Sequence, residues 1–141
     1  MVIIAPEVLE LIHHYRQVST DDCESGGILI GIARGIHLEV TAATPPQISD
    51  QRSRMRFRRF EAGHKEILLK RWRASEGLEN YVGEWHTHPE QDANPSPLDL
   101  REWSRASKRL KEPLLVIIGG TVSNFYAFAD NQKCQRLQDI V

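Results

Sequence analysis

Glu84-Trp85-His86-Thr87-His88-Pro89-Glu90-Gln91-Asp92-Ala93-Asn94-Pro95-Ser96-Pro97-Leu98-Asp99 is the stretch around which the chain organises itself. Residues 80 to 86 read as a strand, and Pro89 stops it soon after. The far end reads as the opening of a helix running from near Pro97 to about Leu110. Ser96 is a good N-cap, Pro97 suits the first helical position, and Asp99 falls at the third. Asp99 shares a face with Trp103, Ala106 and Leu110, a stripe that should point at a core.

On either side, strands and helices alternate. Downstream, residues 114 to 118 form a continuous apolar strand, and Gly119-Gly120 turns the chain into a final strand or two over 122 to 129. Upstream, Phe60, His64, Ile67, Leu68 and Trp72 have helical spacing across 60 to 73, with His64 read as a core histidine. Residues 27 to 32 read as a buried strand. Its partner covers 36 to 43, where Ile36, Leu38, Val40 and Ala42 alternate with His37, Glu39 and Thr41. Arg34-Gly35 reads as the hairpin turn between them, and Pro45-Pro46 ends the second strand. Pro6 starts a helix predicted to reach about Gln17. The expectation is an α/β (α+β) fold with a mixed β-sheet flanked by helices, one domain over residues 1–141.

Composition narrows the partners. The chain has 141 residues, 40% hydrophobic and 26% charged, as in ordinary globular proteins. Its formal net charge of -1 gives no overall basic excess for nucleic acid or an anionic membrane. Two cysteines, Cys23 and Cys134, rule out a disulfide scaffold and an all-thiolate zinc site, and they suit a reducing compartment. The apolar runs are far too short to span a membrane, and the N-terminus lacks a signal-peptide layout. A cytoplasmic protein is expected. Charge is nevertheless uneven. Residues 51 to 73 hold nine basic and two acidic residues, densest from Arg52 to Arg59. If extended, that strip would place Arg52, Arg54, Arg56 and Arg58 on one side. It reads either as a solvated edge or as a docking strip for an acidic or phosphate-bearing partner.

The chemistry lies in His86, His88 and Asp99. In an extended chain residues two apart point to the same side, so both imidazoles can meet one ion. A carboxylate at the edge of a buried stripe needs a partner, and two histidines with a cation would supply one. A chance His-x-His is expected in about one such chain in four; Asp at the fixed offset lowers this to roughly 1%, and Pro89 with Ser96 to well under 0.1%. Two imidazoles and one carboxylate leave a position for water, as in catalytic zinc sites. Zinc would lower that water's pKa to near 7. Ser96 is a candidate donor to a developing oxyanion, beside its plain capping role. A general base is also needed, and spacing leaves Glu24, Glu84, Glu90 and Glu102 all open.

The segment resembles the signature of the JAB/MPN-domain (JAMM) metalloproteases: His-x-His, ten intervening residues, then Asp, with Pro after the second His and Ser three before the Asp. His86, His88, Pro89, Ser96 and Asp99 match without a gap. Glu24-Ser25-Gly26-Gly27-Ile28-Leu29-Ile30-Gly31 is similar to the family's upstream Glu before a Gly-rich first strand. The resemblance implies a JAB/MPN-like (cytidine deaminase-like) fold and one zinc ion on His86, His88 and Asp99. It further implies that Glu24 is the base that passes a proton to the leaving amine, and that Ser96 bonds the oxyanion. Gly26 and Gly27 would let the chain pass close to the metal. The implied activity is hydrolysis of the (iso)peptide bond after the C-terminal tail of a ubiquitin-like protein. Gly83-Glu84-Trp85-His86-Thr87-His88-Pro89-Glu90 looks like the small bacterial branch found beside E1/E2-like enzymes in antiphage (CBASS-type) operons. There the conjugated target is a cGAS-like nucleotidyltransferase. Two other functions fit the same residues less well: a non-catalytic scaffold of this fold, and a JAB-like DNA-repair-associated module supported only by the arginine strip.

Overall fold

The computed structural model describes residues 1–138 and 140. Its main sheet runs in the order β1 (Val2–Ile4), β3 (His37–Ala43), β2 (Gly26–Arg34), β6 (Asn80–Thr87), β7 (Leu114–Gly119), β8 (Asn124–Ala129), β9 (Cys134–Arg136). The pairs β1·β3 and β6·β7 are parallel and the other neighbours antiparallel, so the sheet is mixed as expected. Helices α1 (Pro6–His14), α2 (Glu61–Ala74) and α3 (Pro97–Leu110) flank it. A small separate hairpin, β4 (Gln51–Ser53) with β5 (Arg56–Arg58), stands between β3 and α2 in the chain.

Strand β7 explains the layering. It is buried along its whole length, because both faces of the sheet are covered. Leu115 and Ile117 join Val8 and Ile12 of α1 in one core, whereas Leu114, Val116 and Ile118 join Trp103 and Ala106 of α3 in the other. Beside it, Gly83 on β6 packs so closely that an added Cβ would overlap the carbonyl oxygen of Leu115. Parallel β6 and β7 need a crossover, and α3 provides it.

Several boundaries differ from expectation. Helix α1 ends at His14, not Gln17. The chain leaves the helix there, and the Gln17 side chain is buried at 2% exposure, donating to the carbonyls of Asp22 and Arg54. The β2–β3 turn is Gly35-Ile36, since Arg34 pairs with His37. Gly35 takes φ +62°, the conformation that two-residue hairpins demand, and Ile36 is left 88% exposed at the tip. Leu110 is 46% exposed, so the buried stripe of α3 stops short of it.

The arginine strip is not one extended edge. Arg54 and Met55 form the β4–β5 turn, which folds Arg52 back opposite Phe57. His64 is a core histidine as expected, 1% exposed, with Nδ1 2.6 Å from Thr44 Oγ1 and Nε2 2.7 Å from Asp50 Oδ2. Asp50 also accepts from the backbone N–H groups of Gln47 and Phe60. One buried network thereby ties α2 to the end of β3 and the loop after it. Among the described residues, no helix is long and apolar enough to cross a membrane.

Candidate active site

His86 and His88 lie at the C-terminal end of β6 and its exit. Thr87 between them points the other way, as the alternation of a strand requires. It is fully buried; its hydroxyl accepts from Ser25 N–H and donates to Gln17 Oε1, both at 2.9 Å. The Thr87 N–H in turn donates to the Ser25 carbonyl. Glu24 is thus anchored, through its neighbour, beside the two histidines. The small hairpin holds it from the other side: Glu24 N–H donates to the Ser53 carbonyl, and Arg52 Nε donates to the Glu24 carbonyl at 2.9 Å.

Asp99 arrives from α3. The Ser96 side chain accepts from Asp99 N–H at 3.1 Å, and the Asp99 carboxylate accepts from Ser96 N–H at 2.8 Å. This reciprocal capping box fixes the carboxylate at the third helical position. The Ser96 hydroxyl uses only an acceptor lone pair in that box, so its proton is available for another acceptor.

These elements bring the predicted groups together. His86 Nε2 and His88 Nε2 are 3.1 Å apart. Asp99 Oδ1 lies 3.3 Å from the first and Oδ2 3.2 Å from the second. A tetrahedral ion with ligand bonds near 2.0–2.1 Å has ligand–ligand edges of roughly 3.3–3.4 Å; the spacing of the two imidazole nitrogens, and of each from its own Asp99 oxygen, is of that size, with a different carboxylate oxygen facing each ring. His88 Nδ1 sits 2.9 Å from Glu90 Oε1, which fixes the tautomer that turns the Nε2 lone pair inward. A carboxylate oxygen of Glu24 also lies within 4.8 Å of both imidazole nitrogens. The other carboxylates left open by spacing are engaged elsewhere: Glu84 with Arg59, Glu90 with His88, and Glu102 with Arg56.

Electrostatics follow from crowding. Burial pushes Glu24 up to about 7, opposed by His86 and His88 and reinforced by Asp99 and Glu102. Burial would lower His88, but its hydrogen bonds and charge pairing with Asp99 and Glu90 hold it up at about 9. Burial would raise Asp99, yet the two imidazoles and the Ser96 N–H hold it far below the usual carboxylate range.

Gly26 and Gly27 have a different reason than closeness to metal. A Cβ on Gly27 would overlap the Thr44 carbonyl and one on Gly26 would come within 2.7 Å of Phe57 and the Trp85 carbonyl. The site opens into a groove of about 880 Å³ lined by the β4–β5 hairpin, α2, β6 and α3.

The family model for prokaryotic homologues of the JAB domain matches residues 6–135. The chain belongs to the JAB-domain family. Among relatives of this JAB protein, a "CD-NTase/cGAS isopeptidase" of Pseudomonas aeruginosa (strain BWHPSA011 / Pa011) is 46% identical over 114 residues, covering 79% of this chain and 72% of the relative. A protein of the same name from Escherichia coli (strain TW11681) is 36% identical over 118 residues, 84% of this chain and 76% of the relative. The JAB fold here also superposes on the solution structure of protein DSY2949 from Desulfitobacterium hafniense with a TM-score of 0.71, at 20% identity, covering 100% of this chain and 92% of that one.

Sequence reasoning misses the support around the JAB site. Gln17, Thr44, Asp50 and Thr87 are polar residues whose burial only the fold reveals. Glu90, two after His88, carries the one readable signal, a carboxylate within reach of the His88 imidazole.

Proposed function

We propose that this protein is a zinc-dependent isopeptidase, acting as a single JAB domain over residues 1–141 in the bacterial cytoplasm. It hydrolyses the (iso)peptide bond that follows the C-terminal tail of a ubiquitin-like protein, or of a conjugated target such as a cGAS-like nucleotidyltransferase in antiphage defence. E1/E2-like enzymes of the same pathway would supply the conjugates. The observation that carries this reading is the convergence of two imidazole nitrogens and a helix-capping carboxylate within 3.1 to 3.3 Å, beside a buried glutamate.

His86, His88 and Asp99 would hold the metal. Zinc there supplies a Lewis acid and lowers the pKa of water toward neutrality. Glu24, whose carboxyl titrates near neutrality, takes the proton of the attacking water and delivers it to the leaving amine. The Ser96 hydroxyl donates to the oxyanion that develops on the scissile carbonyl. Glu90 keeps His88 turned inward, and the capping box keeps Asp99 in place before any substrate arrives.

The arginine strip does not favour a nucleic-acid reading. Arg52 and Arg54 bond backbone carbonyls and Arg59 is paired with Glu84, so three of the strip's five arginines are structural. The test is incubation with conjugates of a cGAS-like nucleotidyltransferase and of ubiquitin-like proteins, with and without a zinc chelator, read by mass spectrometry. Release of an intact tail carboxylate that stops with chelator and returns with zinc is expected. Conjugates left whole by zinc-loaded protein would overturn the reading.

A further inference from the structure

The groove that ends at the metal ligands carries charges of both signs, but they are not equally free. Every carboxylate lining it has a partner or belongs to the metal cluster. Glu61 and Glu84 hold Arg59, Glu90 holds His88, Glu102 meets Arg56 at 3.9 Å, and Glu24 and Asp99 stand at the histidines. Four exposed cations lining the same groove have no carboxylate within 4.0 Å among the described residues: Arg58, Lys65, Arg105 and Arg109.

The four stand on facing walls. Arg58 is on β5 and Lys65 on α2, while Arg105 and Arg109 are one turn apart on α3. Two like charges at that helical spacing repel; the helix dipole favours Arg109 in the last turn but gives no reason for Arg105. Arg56 and Glu102 join the two walls through an ion pair with both side chains about half exposed, at 57% and 47%. Such an exposed, long pair is weak, and an incoming carboxylate can take the place of Glu102 on Arg56. Residues two apart in an extended chain lie about 6.6 Å apart, close to the rise of about 6 Å between Arg105 and Arg109.

The geometry points to an acidic tail as the preferred occupant: an extended peptide, with carboxylates at alternate positions, that threads between α3 and the β5–α2 wall and presents its terminal carbonyl to the metal site. This rests on the isopeptidase reading and adds the chemistry of the segment recognised. The guanidinium and ammonium groups lower KM for such a tail and steer its approach, without touching the reacting atoms.

The test uses the full-length zinc-loaded protein and two synthetic isopeptide conjugates identical except for Glu or Gln at alternate tail positions. The Glu tail is expected to have kcat/KM about tenfold or more above the Gln tail at low salt, carried by KM, with the gap shrinking as salt rises. In the double variant Arg105→Glu/Arg109→Glu the preference vanishes, because the Glu tail loses far more kcat/KM than the Gln tail. Equal cleavage of both tails by the parent protein would overturn the proposal and leave the isopeptidase reading intact. So would a variant that slows both tails alike.

If neither tail is cut, the isopeptidase reading fails, and fluorescence anisotropy with the labelled free tails decides the groove separately. Tighter binding of the Glu tail, lost in the double variant, supports an acidic partner. Equal binding, or displacement of the Glu tail by single-stranded DNA at physiological salt, overturns it.

Discussion

Replacing Glu24 by glutamine separates the base from the ligands. The two side chains have nearly the same volume, and the Glu24 carboxylate accepts no hydrogen bond from any described residue, so the exchange breaks no structural contact. The triangle of His86, His88 and Asp99 is untouched, and zinc should stay at one per chain. An amide cannot accept the proton of the attacking water. A positioned base is worth roughly 10²–10⁴ in rate, which corresponds to about 3–5 kcal/mol of barrier. Turnover of a conjugate should fall by that factor with little change in KM.

Metal-free protein gives an internal control. Glu24 has its pKa raised from 4.5 to about 7, so its ionisation costs stability as pH rises above 4.5, with the full penalty reached above about 7. Glu24→Gln should therefore melt higher than wild type at alkaline pH and converge with it in acid. The assay pairs zinc analysis with single-turnover kinetics, and Asp99→Asn serves as comparison. Two results would refute the reasoning. A Glu24→Gln protein with more than about a tenth of wild-type turnover has its base elsewhere. If Glu24→Gln loses zinc while Asp99→Asn keeps it, the two carboxylates have exchanged roles.

Ser96→Gly tests the serine's second role, because glycine at an N-cap costs only a few tenths of a kcal/mol yet removes the hydroxyl. The melting temperature should barely move while kcat drops by about 10²–10³; an unchanged kcat would reduce Ser96 to a cap. Zinc affinity should rise about tenfold per pH unit below pH 9, because His88, held up at about 9, must shed its proton to coordinate. Competition with a chromophoric chelator measures this, and a flat profile would mean that His88 is already neutral. Gly83→Ala should lose about 3 kcal/mol or more in denaturant unfolding, since its Cβ would overlap the Leu115 carbonyl oxygen and lie 2.7 Å from its carbon, where only backbone could yield. Near-wild-type unfolding would show that β6 and β7 can separate cheaply.

The main strands and α3 are legible because each obeys a simple period. β7 is apolar throughout, β3 alternates, and α3 carries its own N-cap and proline. β1, β9 and the β4–β5 hairpin are not legible. Each has three residues, too few to establish a period, and β1 finds its partner in β3, far along the chain. The hairpin also turns at Arg54-Met55, which lacks the glycine or asparagine that marks tight turns. A run of charge there looks like one edge when it is two strands and a bend. The convergence of His86, His88 and Asp99 is legible from spacing, but the choice of Glu24 over Glu84, Glu90 and Glu102 as the proposed base is not. It depends on which carboxylates find cations, and Arg56 and Arg59 meet theirs only in three dimensions. The groove is hidden for the same reason, since its walls come from separate segments.

The interval of three between Ser96 and Asp99 has a physical cause. A capping box needs its two members three apart, because only then can each side chain reach the other's N–H. Asp99 would be an isolated, partly buried carboxylate without that contact, free to choose another rotamer when no cation is present. With it, Ser96 N–H grips Oδ2 at 2.8 Å while both oxygens face the imidazoles at 3.2 and 3.3 Å. The ordering of the Asp99 carboxylate is therefore contributed by helix formation and needs no ion. The histidines gain the same advantage from Thr87, whose buried hydroxyl locks the strand's exit to Ser25. Strand and helix each set these side chains in place as they fold, so the proposed ion would meet nitrogens and oxygens already in position.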